Sequence, residues 1–314
     1  MENEAYKTTS TNSTVFREVS NMPFFQAKLM VDLKVPTLAE IKIATREALD
    51  KLRSDPKILD DLQKNLSATE FGEAAAFITL VVPASVVEAD KAKKEAIRIL
   101  SAQMQGDKSV ARRLIDNKVQ VVVVPRNKLM TELSQFASLK GKKTFDGRIF
   151  DTVRGSGGME VDGKVYTAIT EENLLGGQCN IVYNGKKLHC AYDEGYSTNS
   201  HEFAHTIHNF GISVEDKKII SEAYKKRKET AAKNLKDTNQ WVDGREGCYA
   251  SKTYLEFFAQ LSNAYLGANG GKDPYTGDTR QNTKKWVKDH EPTIFKLLET
   301  FYNNASLPST NPKK

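Results

Sequence analysis

The chain has 314 residues, of which 39% are hydrophobic and 27% charged, and its formal net charge is +6. This is the composition of an ordinary folded protein, long enough for one large domain or two unequal ones. Because the 46 basic residues are offset by 40 acidic ones spread along the chain, the charge does not predict nucleic-acid binding.

The sequence shows no membrane or export signal. Its longest apolar run, residues 74–84, is about half the length that a helix needs to cross a bilayer, so no transmembrane segment is predicted. The first residues, Met1 to Glu4, lack the basic and apolar regions of a secretory signal peptide.

The N-terminal part reads as an appendage to a larger domain. About fifteen polar residues form a tail, and apolar residues recur at helical spacing over residues 37–65, with a break at Pro56. We therefore divide the chain into a tail and helical appendage (1–68), a main domain (69–305) and a disordered C-terminal tail (306–314).

The main domain begins with a pattern that predicts a partly parallel sheet. A strand is expected at residues 77–82, helices at 85–105 and 108–117, and a second strand at 119–124. Strands separated by helices pair in parallel through a crossover connection. After a glycine-rich loop, residues 165–169 predict a further strand, which we place at the edge of the sheet.

Two of the three cysteines, Cys179 and Cys190, bracket a hairpin pattern centred on Asn184-Gly185. Asn-Gly is the strongest short hairpin signal, and folding about it places the two cysteines opposite each other. They form either a disulfide or two reduced thiols on a surface ribbon. A disulfide would favour a secreted or extracellular protein, because such bridges persist in oxidising compartments.

The segment His201-Glu202-Phe203-Ala204-His205 carries the clearest chemistry. Residues four apart share one face of a helix, so both imidazoles can reach one metal ion. Zinc in catalytic sites takes three protein ligands and leaves a position for water, which Glu202 can deprotonate from outside the ligand shell. The alternative is an amphipathic helix that happens to carry two histidines. His208 lies further along the axis and is expected to be structural.

The third ligand should be a carboxylate from a later helix, for which Glu222 and Glu256 compete. Glu222 follows His205 at a usual interval, but its helix is rich in lysine and looks solvated. Glu256 lies among Tyr254, Phe257 and Phe258, where an unpartnered carboxylate is costly to bury. A zinc ion would be such a partner, which favours Glu256.

These residues carry a family resemblance. The segment 201–205, Tyr249-Ala250 and Glu256-Phe257-Phe258-Ala259 resemble the catalytic domain of anthrax lethal factor and the clostridial Pro-Pro endopeptidases. The resemblance covers roughly residues 70–304. It implies an α+β, zincin-like domain with a small mixed sheet and an active-site helix, and a tyrosine facing the metal at Tyr249. The hairpin between the two cysteines has no counterpart that we can place in that family.

The favoured function is a zinc-dependent endopeptidase acting on a protein or peptide. A substrate strand would add to the sheet edge through Val165, Thr167 and Ile169, Glu202 would activate water, and Tyr249 would support the oxyanion. The alternative is a zinc-bound interaction or toxin module that uses the same groove only for binding, although a pure binder has no need of Glu202. An exopeptidase would need an anchor for a chain terminus, which we do not identify.

Overall fold

A computed structural model describes residues 35–144, 147–179, 181–188 and 195–307. The first helices are α1 (Leu38–Ile43), α2 (Arg46–Arg53), α3 (Pro56–Asn65), α4 (Ala68–Thr79), α5 (Ala89–Ala102) and α6 (Lys108–Asp116). Then follow α7 (Glu171–Leu175), α8 (Thr198–Thr206), α9 (Val214–Ala231), α10 (Tyr254–Leu266), α11 (Lys284–His290) and α12 (Pro292–Tyr302). The strands are β1 (Leu80–Val81), β2 (Gln120–Val124), β3 (Ser156–Val161), β4 (Lys164–Thr170), β5 (Val182–Tyr183) and β6 (Lys186–Lys187).

The fold belongs to the α+β class, as expected. Strands β1, β2, β4 and β3 form one sheet in that order, while β5 and β6 form a separate ribbon. β2 pairs in parallel with both β1 and β4, and β3 runs antiparallel to β4. The expectation of a partly parallel sheet is confirmed, and the ribbon turns at Asn184-Gly185 as the sequence predicts.

The sheet is covered on both faces. Along β2, Val121 and Val123 contribute to the main core, whereas Val122 and Val124 contribute to a second cluster around Phe136. Successive strand residues point to opposite faces, so a run of valines is required where neither face meets water.

The N-terminal helices pack onto the main core. Ile41, Leu49, Leu52, Leu59 and Leu62 belong to the same buried cluster as the helices of the main domain. Three N-caps set their starts: Thr37, Thr45 and Asp55 each accept a hydrogen bond from a backbone N–H in the first turn of their helix. None of the helices within the described ranges has the length and hydrophobicity to span a membrane.

Two sequence expectations are wrong. The strand expected at 77–82 is reduced to the two residues of β1, because α4 continues to Thr79. The strand at 165–169 exists within β4, but it lies between β2 and β3 and is not an edge. Val165, Thr167 and Ile169 are buried, so they do not offer a free edge to a substrate. The edge is β3.

Candidate metal centre and active site

Helix α8 carries the two histidines, and its start and end are both fixed by local interactions. The Ser197 hydroxyl accepts a hydrogen bond from the backbone N–H of Ser200 and caps the N-terminus. After Thr206 the chain continues as one turn of π-helix, Ile207–Gly211. The helix packs against α10 and against strands β3 and β4, so its histidines are buried between helix and sheet.

The structure brings the three predicted ligands together. His201 Nε2 and His205 Nε2 lie 3.0 Å apart, and Glu256 Oε2 lies 3.0 Å from the first and 3.2 Å from the second. Glu222, the competing carboxylate, is exposed and faces Lys218. Glu256 reaches the site because Thr253 caps α10 and accepts a hydrogen bond from the Glu256 N–H.

The donor set fits a zinc ion. Ligand atoms at about 2.0–2.1 Å from a tetrahedral zinc are themselves about 3.3 Å apart, close to the separations in this cluster. Glu256 Oε2 is buried and receives no aligned hydrogen bond, and it is the one such carboxylate oxygen within the described part of the chain. An orphaned buried acceptor facing two imidazole nitrogens is what a metal ligand set presents before the ion is bound.

The charges of this cluster are strongly coupled. Burial alone would raise the pKa of Glu256, but the two histidine rings hold that pKa well below its ordinary value. Burial by itself would lower the pKa of His201, yet the Glu256 carboxylate, 3.0 Å from Nε2, raises it. The carboxylate therefore stays ionised and attracts a cation, whether a proton on an imidazole or a metal ion.

Glu202 and Tyr249 border the same cleft. The cleft has a volume of about 230 Å³, and Glu202 lines it next to the ligands. Burial raises the pKa of Glu202, an effect that His201 and His205 oppose. The Tyr249 ring stacks on the His201 ring with a centroid distance of 5.6 Å. Burial, then the nearby carboxylates, raise the pKa of Tyr249 far above its ordinary value, so its hydroxyl remains a neutral donor.

The wall opposite the helix is the edge strand β3. Its first residues and those just before it, Gly155, Ser156 and Gly157, line the cleft together with the apolar side chains of Phe150, Val153 and Leu255. The pairing of β3 with β4 shifts register between Ser156 and Met159, which is the signature of a β-bulge at a glycine pair. The strand thereby approaches the helix closely at Glu202.

A buried arginine anchors the start of this wall. Arg154 forms two hydrogen bonds to the Glu172 carboxylate, at 2.7 and 2.8 Å, and donates to the carbonyl oxygens of Lys128 and Pro125. Both side chains of the pair are almost completely buried. A buried charge that is paired and fully hydrogen-bonded holds its side chain in one position. The backbone at Arg154 is therefore held in place directly before Gly155, where the chain begins to line the cleft.

Two buried aspartates hold the turn that carries Tyr249. Asp273 accepts a hydrogen bond from the Tyr249 N–H at 2.8 Å, and Asp243 accepts one from the Ala250 N–H at 3.1 Å. Neither aspartate is predictable from the sequence, since both lie in loops without periodicity. Tyr275, also missed, stacks on the outer face of Tyr249 at 5.7 Å.

The remaining predicted residues fall into two groups. His208 is buried against Tyr254 and Phe258, and its Nε2 has no partner, which fits the structural role expected for it. Cys179 is buried beside Ile181, but Cys190 lies outside the described residues, so the disulfide stays a prediction. Cys248 is a buried free thiol.

Comparison with known proteins adds little. The sequence matches no protein-family model, and no curated protein matches it. Among solved structures, that of a Pro-Pro endopeptidase from Paenibacillus alvei is similar over 71% of this chain and 97% of that chain, with 16% sequence identity and a TM-score of 0.44.

Proposed function

We propose that the protein is a zinc-dependent endopeptidase. The observation that carries this proposal is the convergence of His201, His205 and Glu256 on one point beside a cleft that Glu202 lines. Zinc bound there would polarise a peptide carbonyl and lower the pKa of water.

The protein's own residues would perform the remaining tasks. Glu202 lies outside the ligand cluster and faces the cleft, where its carboxylate can accept a proton from water as general base. Tyr249 has a neutral hydroxyl at the same cleft and can donate a hydrogen bond to the developing oxyanion. The raised pKa of Glu202 suits a general base, and the raised pKa of Tyr249 keeps its hydroxyl protonated as a hydrogen-bond donor.

The substrate would bind as an extended chain along β3. This strand pairs with β4 on one side only, and within the described residues no strand pairs with its other side. An extended peptide can add to such an edge through main-chain hydrogen bonds. Phe150, Val153 and Leu255 make part of the cleft apolar, so we expect apolar substrate side chains near the scissile bond. An edge and an open cleft favour internal cleavage of a chain.

Two measurements test the proposal. The purified protein is incubated with a peptide library, with and without a chelator, and the products are identified by mass spectrometry. We expect internal cleavage that the chelator abolishes and added zinc restores. A protein that binds zinc stoichiometrically but cleaves nothing would instead support a binding module.

The ligand set is tested by metal analysis of Glu256→Gln, with Glu222→Gln as the matched control. Both substitutions remove one negative charge from a glutamate on a helix that follows α8. We expect stoichiometric zinc in the wild type and the Glu222 variant and a loss of zinc in the Glu256 variant. Loss of zinc only from the Glu222 variant would refute the assignment.

A further inference from the structure

A chain of buried hydrogen bonds leads away from the metal centre behind His201. The Nδ1 atom of His201 lies 3.1 Å from Gln260 Oε1, and Gln260 Nε2 donates to Asp243 Oδ2 at 2.6 Å. The Tyr196 hydroxyl also donates to Gln260 Oε1, at 2.9 Å. Gln260 and Asp243 are completely buried, so water does not compete for these bonds.

Asp243 acts only as an acceptor in this chain. Besides Gln260 Nε2, its oxygens accept hydrogen bonds from Asn269 Nδ2 and from the Ala250 N–H, both at 3.1 Å. The buried Arg280 guanidinium lies 3.8 Å away and balances its charge. Burial raises the pKa of Asp243, an effect that Arg280, Asn269 and Gln260 oppose. Because every polar group that faces its oxygens is a donor or a cation, a proton on Asp243 would meet a donor on every side, and these surroundings fit the ionised form.

The carboxylate determines which way the Gln260 amide faces. The two orientations of a glutamine amide have nearly the same shape, so the hydrogen-bond partners decide between them. Because Asp243 can only accept, the Gln260 nitrogen must face it and the Gln260 oxygen must face His201 and Tyr196. The opposite orientation would place two acceptor oxygens against each other.

The amide in turn determines the tautomer of His201. A neutral imidazole has one protonated and one unprotonated nitrogen. With the Gln260 oxygen as its neighbour, Nδ1 must carry a proton. Nε2 faces His205 and the Glu256 carboxylate, so in the metal-free protein it can hold a second proton, which a metal ion would replace by binding the unprotonated atom. A metal ligand needs that unprotonated nitrogen, and partners behind a ligating histidine set its ring orientation.

We propose that Asp243 is a positioning residue which, through Gln260, holds His201 as the Nδ1–H tautomer that can bind a metal ion through Nε2. This inference rests on the metal site of the proposed function. It does not require that the protein be a peptidase, because Gln260 fixes the proton on Nδ1 whether or not a metal ion is bound.

The first test needs no variant. In zinc-free protein with ¹⁵N-labelled histidine at neutral pH, NMR should show His201 with a protonated Nδ1, whether or not Nε2 carries a second proton facing Glu256. An unprotonated Nδ1 would overturn the proposal. Absence of zinc binding by the wild type would refute the proposed function, and this spectrum would still test the inference.

The second test is Asp243→Asn. An amide at this position must point its own N–H₂ either at Asn269 or at Gln260. In either case two N–H donors would face each other. If the conflict is with Gln260, rotation of the Gln260 amide would relieve it, but the rotated amide would present an N–H to His201 Nδ1 and favour the tautomer protonated on Nε2. We expect the zinc dissociation constant, measured by competition with a chromophoric chelator, to rise about 10–100-fold, with a shift of His201 toward the Nε2–H form.

A charge-conserving double variant separates positioning from packing. In Asp243→Asn with Gln260→Glu, the new amide can donate to the new carboxylate, which again offers only acceptors to His201 and Tyr196. We expect zinc affinity to recover most of the loss and the Nδ1–H form to return. If the double variant binds zinc no better than Asp243→Asn, the loss arises from packing and the proposal is wrong.

The control for a buried carboxylate is Glu291→Gln. Glu291 is buried and pairs with Arg227 at 2.5 Å, but it does not line the cleft. Thermal unfolding identifies variants that are folded. Glu291→Gln should retain wild-type zinc affinity and the His201 tautomer, and an equal loss of affinity in this variant would refute a specific role for Asp243.

Discussion

Gly157 offers a sharp test of the cleft, because strand β3 meets the backbone of helix α8 there. A Cβ atom at residue 157 would lie 1.7 Å from the carbonyl oxygen of Glu202 and 2.6 Å from its carbonyl carbon. Even close carbon–oxygen contacts are about 3.3 Å long. Strand and helix must therefore separate by more than about 1 Å in Gly157→Ala.

The cost of that movement can be estimated. Overpacking a buried contact costs about 1–3 kcal/mol, and both partners here are backbone atoms that no rotamer change can relieve. We expect about 2–3 kcal/mol of destabilisation. Displacing a reacting group by about 1 Å can lower turnover about 10²-fold. Because the clash displaces Glu202 itself, we expect Gly157→Ala to lose turnover by at least that factor at saturating zinc.

Gly106→Ala is the matched control. A Cβ there would lie 2.1 Å from the carbonyl oxygen of Thr300, which is the same kind of clash away from the cleft. The assays are urea unfolding and cleavage of a peptide found in the library screen. Both variants should lose stability, but only Gly157→Ala should lose turnover. Wild-type turnover in Gly157→Ala, or an equal loss in Gly106→Ala, would refute the reasoning.

Four further predictions follow from the site. Glu202→Gln should keep zinc and lower turnover about 10²–10⁴-fold; wild-type turnover in the zinc-loaded variant would exclude a general base. Tyr249→Phe should lower kcat about 10²–10³-fold with little change in substrate binding, and an unchanged kcat would mean that the ring only packs. Burial lowers the pKa of His208 to about 4, below its value near 6.5 in the unfolded chain. As the pH falls from 6.5 to 4, the unfolded chain binds a proton that the folded protein does not, so the free energy of unfolding should fall by up to about 3 kcal/mol. The free energy of unfolding of His208→Gln, measured over the same pH range, should lack this decrease. Unreduced peptide digests should contain a Cys179–Cys190 bridge, as expected of a protein acting outside the cytoplasm, whereas three alkylatable thiols would exclude it.

Local signals predicted the helices of the site well. The sequence predicts a helix through residues 201–209 with several N-cap candidates at 197–200, and the structure has this helix at Thr198–Thr206 with Ser197 as its cap. Glu256 was preferred to Glu222 on the cost of burial. The structure places Glu256 in a buried position facing both histidines and Glu222 in solvent. Such residues are predictable because the desolvation of one charge is large compared with other local preferences.

The two wrong expectations, a strand over residues 77–82 and an edge position for the strand at 165–169, each have a contrary signal in the sequence. Ser67 and Glu70 form a capping box, which starts helix α4 early enough to run through residues 77–79. Asp162-Gly163, with φ values of 50° and 72°, forms the two-residue turn that joins β3 to β4. This turn signal predicts an antiparallel strand beside residues 165–169, which makes β3 the edge strand on that side of the sheet.

Buried carboxylates in this protein differ in what faces them, and this difference separates framework from site. Glu172 is held by Arg154, and Asp243 by three N–H donors with Arg280 nearby. Each charge is thus compensated by groups of the chain itself. Glu256 Oε2 instead faces two imidazole nitrogens and receives no aligned donor. In the metal-free protein only these two titratable imidazoles compensate the charge of Glu256, and a metal ion bound among the three side chains would take over that role. The number of donors around a buried carboxylate depends on distant loops, which is why the sequence could rank Glu256 as a ligand but could not identify Asp243 as its support.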